Sequence, residues 1–171
     1  VIPKIQRPYA QGRLDGVCTY VRNTLLNEMF ANFKTDEVFD FNFIYGIVRP
    51  SNETYVMELL DGQQRMTTLF LVYWYIANRE LNGADNEIRN ALGRFVYETR
   101  STSTVFCHRL ASYRFDLADT KPSKAIKKAK WYFKSFDRDS TISAMLVMLD
   151  AIHDRYNNQD SNELYKKLDN I

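Results

Sequence analysis

The chain has 171 residues, 45% of them hydrophobic, and a formal charge of +2 at neutral pH. That length is enough for one well-buried core and makes a single domain the default, while so small a net charge argues neither for nor against a nucleic-acid partner. The longest apolar run, Leu69 to Ala77, falls far short of the roughly 20 residues that a membrane-spanning helix needs.

Lys4 to Gly12 reads as extended and turning, because Pro3 and Pro8 exclude helix and push the residues before them toward β or polyproline geometry. From Asp15 to about Phe33 the pattern becomes helical. Val17, Val21, Leu25, Leu26, Met29 and Phe33 recur at helical steps, with Asp15 placed as N-cap. Phe39 to Val48, rich in aromatic and β-branched residues, reads as a strand. Arg49-Pro50-Ser51-Asn52 is a turn, and Thr54 to Leu60 is the returning strand of a hairpin. The helix that follows, about Arg65 to Leu81, is apolar on nearly every face, which predicts the central buried helix of the domain.

The second half is mostly helical. Ala84 to about Glu98 forms a helix with Asp85 as N-cap, and Ser101 to Tyr113 a short one. After the break at Asp119-Thr120-Lys121-Pro122-Ser123 a lysine-rich helix runs to about Phe136. Ser140 to Tyr156 then carries Ile142, Met145, Leu146, Leu149, Ile152 and Tyr156 on one stripe. A last short helix, begun by Ser161, reaches Leu168. Two arrangements fit this order: one α+β domain, or a small N-terminal α/β unit (residues 1–83) with a helical extension (84–171) packed on it. The second is the closer description. Cys18 and Cys107 are far apart and in no CxxC pattern, which fits free thiols in a cytoplasmic setting better than a disulfide framework. No signal peptide is visible, and a start at Val1 without methionine with a stop just after Leu168-Asp169-Asn170-Ile171 points to a fragment of a longer protein.

The stretch richest in chemistry is Asp61-Gly62-Gln63-Gln64-Arg65-Met66-Thr67-Thr68. It stands where the second strand gives way to the buried helix. A strand, a tight glycine turn and a helix N-terminus make an anion-binding geometry, since the first N–H groups have no internal partners and the macrodipole favours negative charge. Gly62 permits the sharp turn. Arg65 offers a fork of donors to phosphate, Gln63 or Gln64 could orient an attacking water, Asp61 could hold magnesium, and Thr67 and Thr68 add hydroxyls. The plain alternative is a strand-to-helix turn with Asp61 capping and Arg65 exposed. It is not a Walker A loop, because the lysine and spaced glycines are missing.

Three other stretches stand out. Gln6 and Arg7 lie in a loop stiffened by Pro3 and Pro8, where binding groups often sit, although an ordinary strand would look the same. Glu98 and Arg100 could pair at a helix end. Lys127, Lys130 and Lys134 fall on one helical face beside Trp131, Tyr132 and Phe133, a pattern that grips a nucleic-acid backbone or is simply solvated with its aromatics in the core. His108 and His153 share no metal-ligand spacing, so no zinc site is expected.

Asp61 to Leu69 resembles the N-terminal domain of GmrSD-type restriction endonucleases. Ile2 to Tyr9 looks like that family's "IPxYQRxY" entry with Ile5 in place of the tyrosine, Tyr97 to Ser101 like its "YETR" segment, and Trp131 to Ile152 like its later helices. The resemblance implies a ParB/sulfiredoxin-like nucleotide-binding unit, commonly followed by an HNH-like nuclease domain that cuts modified or invading DNA. Carried over, Asp61, Gly62, Gln63, Gln64 and Arg65 line a nucleoside triphosphate site faced by Gln6 and Arg7. No histidine–asparagine–histidine set is present here, so DNA cleavage would belong to residues beyond this chain. The expected function is a magnesium-dependent NTPase domain regulating a DNA-targeting defence nuclease. The rival is a non-catalytic DNA-binding or adaptor module using the same turn and the lysine helix.

Overall fold

A computed structural model describes residues 1–4, 7–35, 38–52, 54–81, 86–98, 100–114, 120–158 and 164–170. Among them are six α-helices and one antiparallel hairpin, a mixed α+β fold that is mostly helical. Helix α1 spans Gly16–Asn32, and the Asp15 carboxylate accepts from the Cys18 N–H at 3.0 Å, as expected of an N-cap. Its inner face differs from the predicted stripe. Leu26, Met29 and Phe30 are buried, followed by Phe33 just past the helix, but Val17 is 75% exposed and Arg22 turns inward instead. The cause is local: the Arg22 guanidinium donates to the carbonyls of Gln11 and Arg13, at 3.3 and 2.9 Å, which rotates the first turns of the helix away from the apolar set.

Strand β1 (Tyr45–Ser51) pairs with β2 (Thr54–Asp61), joined through Asn52 at φ 53. Two details depart from expectation. Phe39 to Ile44 is not strand; Phe39 and Phe41 are buried edge-to-face, their rings 5.0 Å apart. Pro50 lies inside β1 rather than in the turn, which an edge strand tolerates. Residues outside the hairpin extend it. Leu59 N–H donates to Val1 O at 3.1 Å, while Ile2 bridges Tyr97 in parallel through Ile2 N to Val96 O (2.8 Å) and Glu98 N to Ile2 O (2.9 Å). The Tyr97 segment is therefore extended, and the predicted helix to Glu98 stops earlier: helix α3 is Asn86–Gly93. The proposed cap Asp85 and the boundary at 83/84 lie outside the described residues.

Helix α2 (Gln63–Glu80) is the buried rod that its sequence announced. Leu71, Val72, Trp74, Tyr75 and Ile76 are sealed from solvent, and each large apolar side chain so buried contributes about 1.5–3 kcal/mol. Helix α4 is Ser101–Ala111, and α5 is Pro122–Lys128. Beyond a 3-10 turn at Lys134–Arg138 comes α6, Ser140–Tyr156, with all six residues of its predicted stripe buried. A second 3-10 turn covers Leu164–Asn170; Ser161 lies outside the described residues. Helix α6 packs on α2, α1 and α5, and one apolar cluster draws on both halves of the chain. Cys18 and Cys107 are free thiols.

His153 is buried on α6 between the Tyr75 hydroxyl (2.9 Å from Nδ1) and the Asn157 amide (3.0 Å from Nε2). Desolvation lowers its pKa below the ordinary 6.5. The unfolded chain therefore binds the proton first as pH falls through the mid-6 range. Stability should be complete above that value and decline below it, by no more than about 1.4 kcal/mol per pH unit. Urea denaturation from pH 7.5 to 5 should show the decline in the native chain and a smaller one in His153→Gln. Parallel curves for the two would refute the assignment.

Candidate functional site

The junction between β2 and α2 is built around Gly62, whose φ of +87 lies in the left-handed region. A Cβ there would be strained and would meet Ile44 Cγ1 at 2.8 Å, so glycine is required on two counts. Asp61 Oδ1 accepts from the Gly62 N–H at 2.7 Å. Among the described residues no side chain caps α2, and Gly62 with the first helical residues opens into a cleft of about 270 Å³ lined also by Arg7, Gln11 and Asp61. Gln11 was not among the predicted site residues. The available signal was an amide next to Gly12, immediately after the proline-flanked loop.

The two motif glutamines hold the facing wall in place. Gln63 uses one end of its amide, Nε2 donating to Arg7 O at 2.8 Å. Gln64 uses both ends, Nε2 donating to Pro8 O at 3.1 Å and Oε1 accepting from the Ala10 N–H at 2.7 Å. The Arg7–Ala10 backbone is thereby fastened to the first turn of α2 across more than fifty residues of sequence. Arg65 donates to Phe41 O and to Asp61 Oδ2, each at 3.3 Å, beside the cleft rather than away from it.

Thr67 and Thr68 require a correction. Both are buried and face the core, not a ligand. The Thr67 hydroxyl donates to Gln63 O at 2.8 Å and lies 2.8 Å from the Tyr97 hydroxyl. Thr68 Oγ1 bonds Tyr9 OH at 2.8 Å and the Gln11 side chain. Burial pushes the Tyr9 and Tyr97 hydroxyls far above the ordinary tyrosine range, so both stay protonated and serve as neutral hydrogen-bonding groups behind the cleft. Gln6 lies outside the described residues. Glu98 bonds the Lys4 N–H at 2.9 Å, and no Glu98–Arg100 pair forms among the described residues.

Lys127, Lys130 and Lys134 do not share a helical face. Helix α5 ends at Lys128 as Ala129 turns extended, Lys130 follows in the turn, and Lys134 begins the 3-10 segment. The aromatic residues cause the break. Trp131, Tyr132 and Phe136 gather around Phe106 with ring centroids 5.8, 6.5 and 5.7 Å away, which a continued helix would not allow. Lys127 pairs with Asp137 at 3.5 Å.

Fold and cleft together define a class: a mixed α+β domain with a polar cleft at an uncapped helix start, walled by a proline-flanked loop. Among the described residues no helix is long and apolar enough to cross a membrane. The chain belongs to the GmrSD restriction endonuclease N-terminal domain family, whose model matches residues 1–170. This places it in a restriction system, as the N-terminal domain of an endonuclease. No curated relative and no solved structure matches it.

Proposed function

We propose that the domain binds a nucleoside triphosphate with magnesium and hydrolyses it, thereby regulating the nuclease part of a DNA-targeting restriction endonuclease in the cytoplasm. The observation that carries this reading is the uncapped first turn of α2, open to a cleft that also holds Arg7, Asp61 and Arg65. Phosphate oxygens accept from the free N–H groups of that turn, and the two guanidinium groups offset their charge. Asp61 is 59% exposed and its pair with Arg65 is 3.3 Å long, so a polyphosphate displaces it at little cost.

Among the described residues no group of three or more His, Cys, Asp or Glu is placed to hold a metal. Asp61 alone nevertheless suits magnesium, which favours one or two carboxylates plus phosphate oxygens and water over an all-protein cage. Magnesium, when bound, neutralises charge on the phosphates. Gln64 is committed at both ends of its amide, whereas among the described residues Gln63 commits only Nε2; Gln63 Oε1 is therefore the group that orients the attacking water. Orientation and fixed charge, rather than covalent chemistry, supply the rate.

The test is equilibrium binding of the four magnesium nucleoside triphosphates, with phosphate release measured alongside. Arg65→Ala should weaken binding about tenfold or more, the worth of a charged hydrogen bond, while the loss of its bonds to Phe41 O and Asp61 lowers stability by about 0.5–1.5 kcal/mol. Unchanged affinity in that variant, or binding by neither protein, would sink the reading.

A further inference from the structure

A second cleft, of about 370 Å³, lies between the start of α4 and the 3-10 turn that leads into α6. Arg100 and Arg138 line it, with the hydroxyl-bearing residues Ser101, Ser135 and Ser140. Among the described residues neither guanidinium has a hydrogen bond or ion pair. Asp139 borders the cleft but is not available to them, because its carboxylate is filled from the protein side. Oδ2 accepts from the Thr102 and Ser103 hydroxyls at 2.5 and 2.8 Å, and Oδ1 from the Thr141 and Ile142 N–H groups at 2.9 and 3.4 Å. Two unpaired cations over a floor of hydroxyls suit an anion with several acceptor oxygens, and the planar fork of arginine matches phosphate best. The uncapped start of α4 opens on the same space and adds to the field, although the arginine pair carries the assignment.

A neighbouring cavity of about 540 Å³ shares Arg138 and Ser140 with this cleft and is lined also by Leu14, Ala144 and Val147; its two carboxylates, Asp15 and Asp137, are paired with Arg13 and Lys127. A cationic end joined to an apolar groove accommodates one repeating unit of a nucleic-acid strand, phosphate in the first part and base in the second. We propose that Arg100 and Arg138 hold the backbone phosphate of a single-stranded nucleic acid, with the adjoining base against Leu14 and Val147. Membership in a restriction endonuclease family favours a strand over a free nucleotide as the source of that phosphate. The proposal does not depend on the triphosphate site at Asp61. It also moves nucleic-acid binding away from the lysines, which share no face.

The experiment is fluorescence anisotropy with a labelled single-stranded DNA 12-mer, titrated over a range of potassium chloride concentrations. Arg100→Gln/Arg138→Gln should weaken binding about tenfold or more. The same variant should flatten the slope of log K against log salt by about 0.7 for each phosphate that it no longer neutralises. Arg100→Lys/Arg138→Lys keeps the charge and should recover most of the slope. Arg65→Ala should leave strand binding unchanged, which separates this site from the triphosphate cleft. If the double glutamine variant melts early, Arg138→Gln alone carries the readout, since that side chain is exposed. Native affinity and slope in a folded glutamine variant would overturn the proposal. So would competition by free nucleoside monophosphate at a cleft that binds no strand.

Discussion

Replacing Gly12 by alanine is expected to cost about 3 kcal/mol or more of stability, at the upper end of what overpacking does. A Cβ built on Gly12 would lie 1.7 Å from Ala144 O, 2.4 Å from its carbonyl carbon and 2.8 Å from its Cα. All three are main-chain atoms of a well-buried helix, so no side chain can swing aside. Either the loop lifts or α6 bends. The loop also supplies Gln11 and, through Ala10 and Pro8, the wall held by Gln64. The variant should therefore lose nucleotide affinity as well as stability, without any change in a cleft residue. Urea denaturation at constant m-value measures the first effect. A loss below about 0.5 kcal/mol, the scatter of neutral surface changes, would mean that the two segments do not approach as closely as described.

Asp139→Ala should be nearly as damaging, by about 2–4 kcal/mol. One part is the missing cap of α6, worth about 1 kcal/mol. The other is the Ser103 hydroxyl, which is buried and left without its acceptor, at about 1–3 kcal/mol. For a chain of this size the sum corresponds to about 5–15 °C in melting temperature. Asp139→Asn keeps one oxygen and should recover about half. A shift under about 2 °C for the alanine variant would show that α4 and α6 are joined by something other than this carboxylate.

The rigid parts of this fold were legible because one period dominated them. In α6 the stripe from Ile142 to Tyr156 repeats at helical spacing without interruption, and every member is buried. In α2 the lack of a polar face said the same thing more bluntly. The errors fall where a long-range interaction overrules the local pattern. Val17 and Val21 looked like core until Arg22 found two loop carbonyls, an interaction that no helical wheel contains. The Tyr97 segment has helix-compatible residues but is drawn into extended pairing by Ile2, ninety-five positions away. The lysine helix ends because its aromatic residues converge on Phe106, a residue of a different helix.

The cleft was partly legible for a similar reason. Gly62, Asp61 and Arg65 act close to their own backbone, so strand, turn and helix start sufficed to place them. Thr67 and Thr68 share the motif but sit on the inward side of the first turns, where the hydroxyls of Tyr9 and Tyr97 claim them. Gln63 and Gln64 illustrate an ambiguity that spacing cannot resolve. A primary amide next to a phosphate-type turn can serve a ligand or serve the fold, and Gln64 does the second with both of its ends.

The short parallel bridge made by Ile2 has a mechanical consequence. Val1 is bonded to Leu59, two residues before Asp61, and Ile2 to Glu98, two residues before Arg100. The arginine at the mouth of one cleft and the carboxylate at the mouth of the other are thus the outer ends of a single crossbar, with the chain's first two residues as its middle. Backbone hydrogen bonds through two residues thus tie the end of β2 to the entrance of α4.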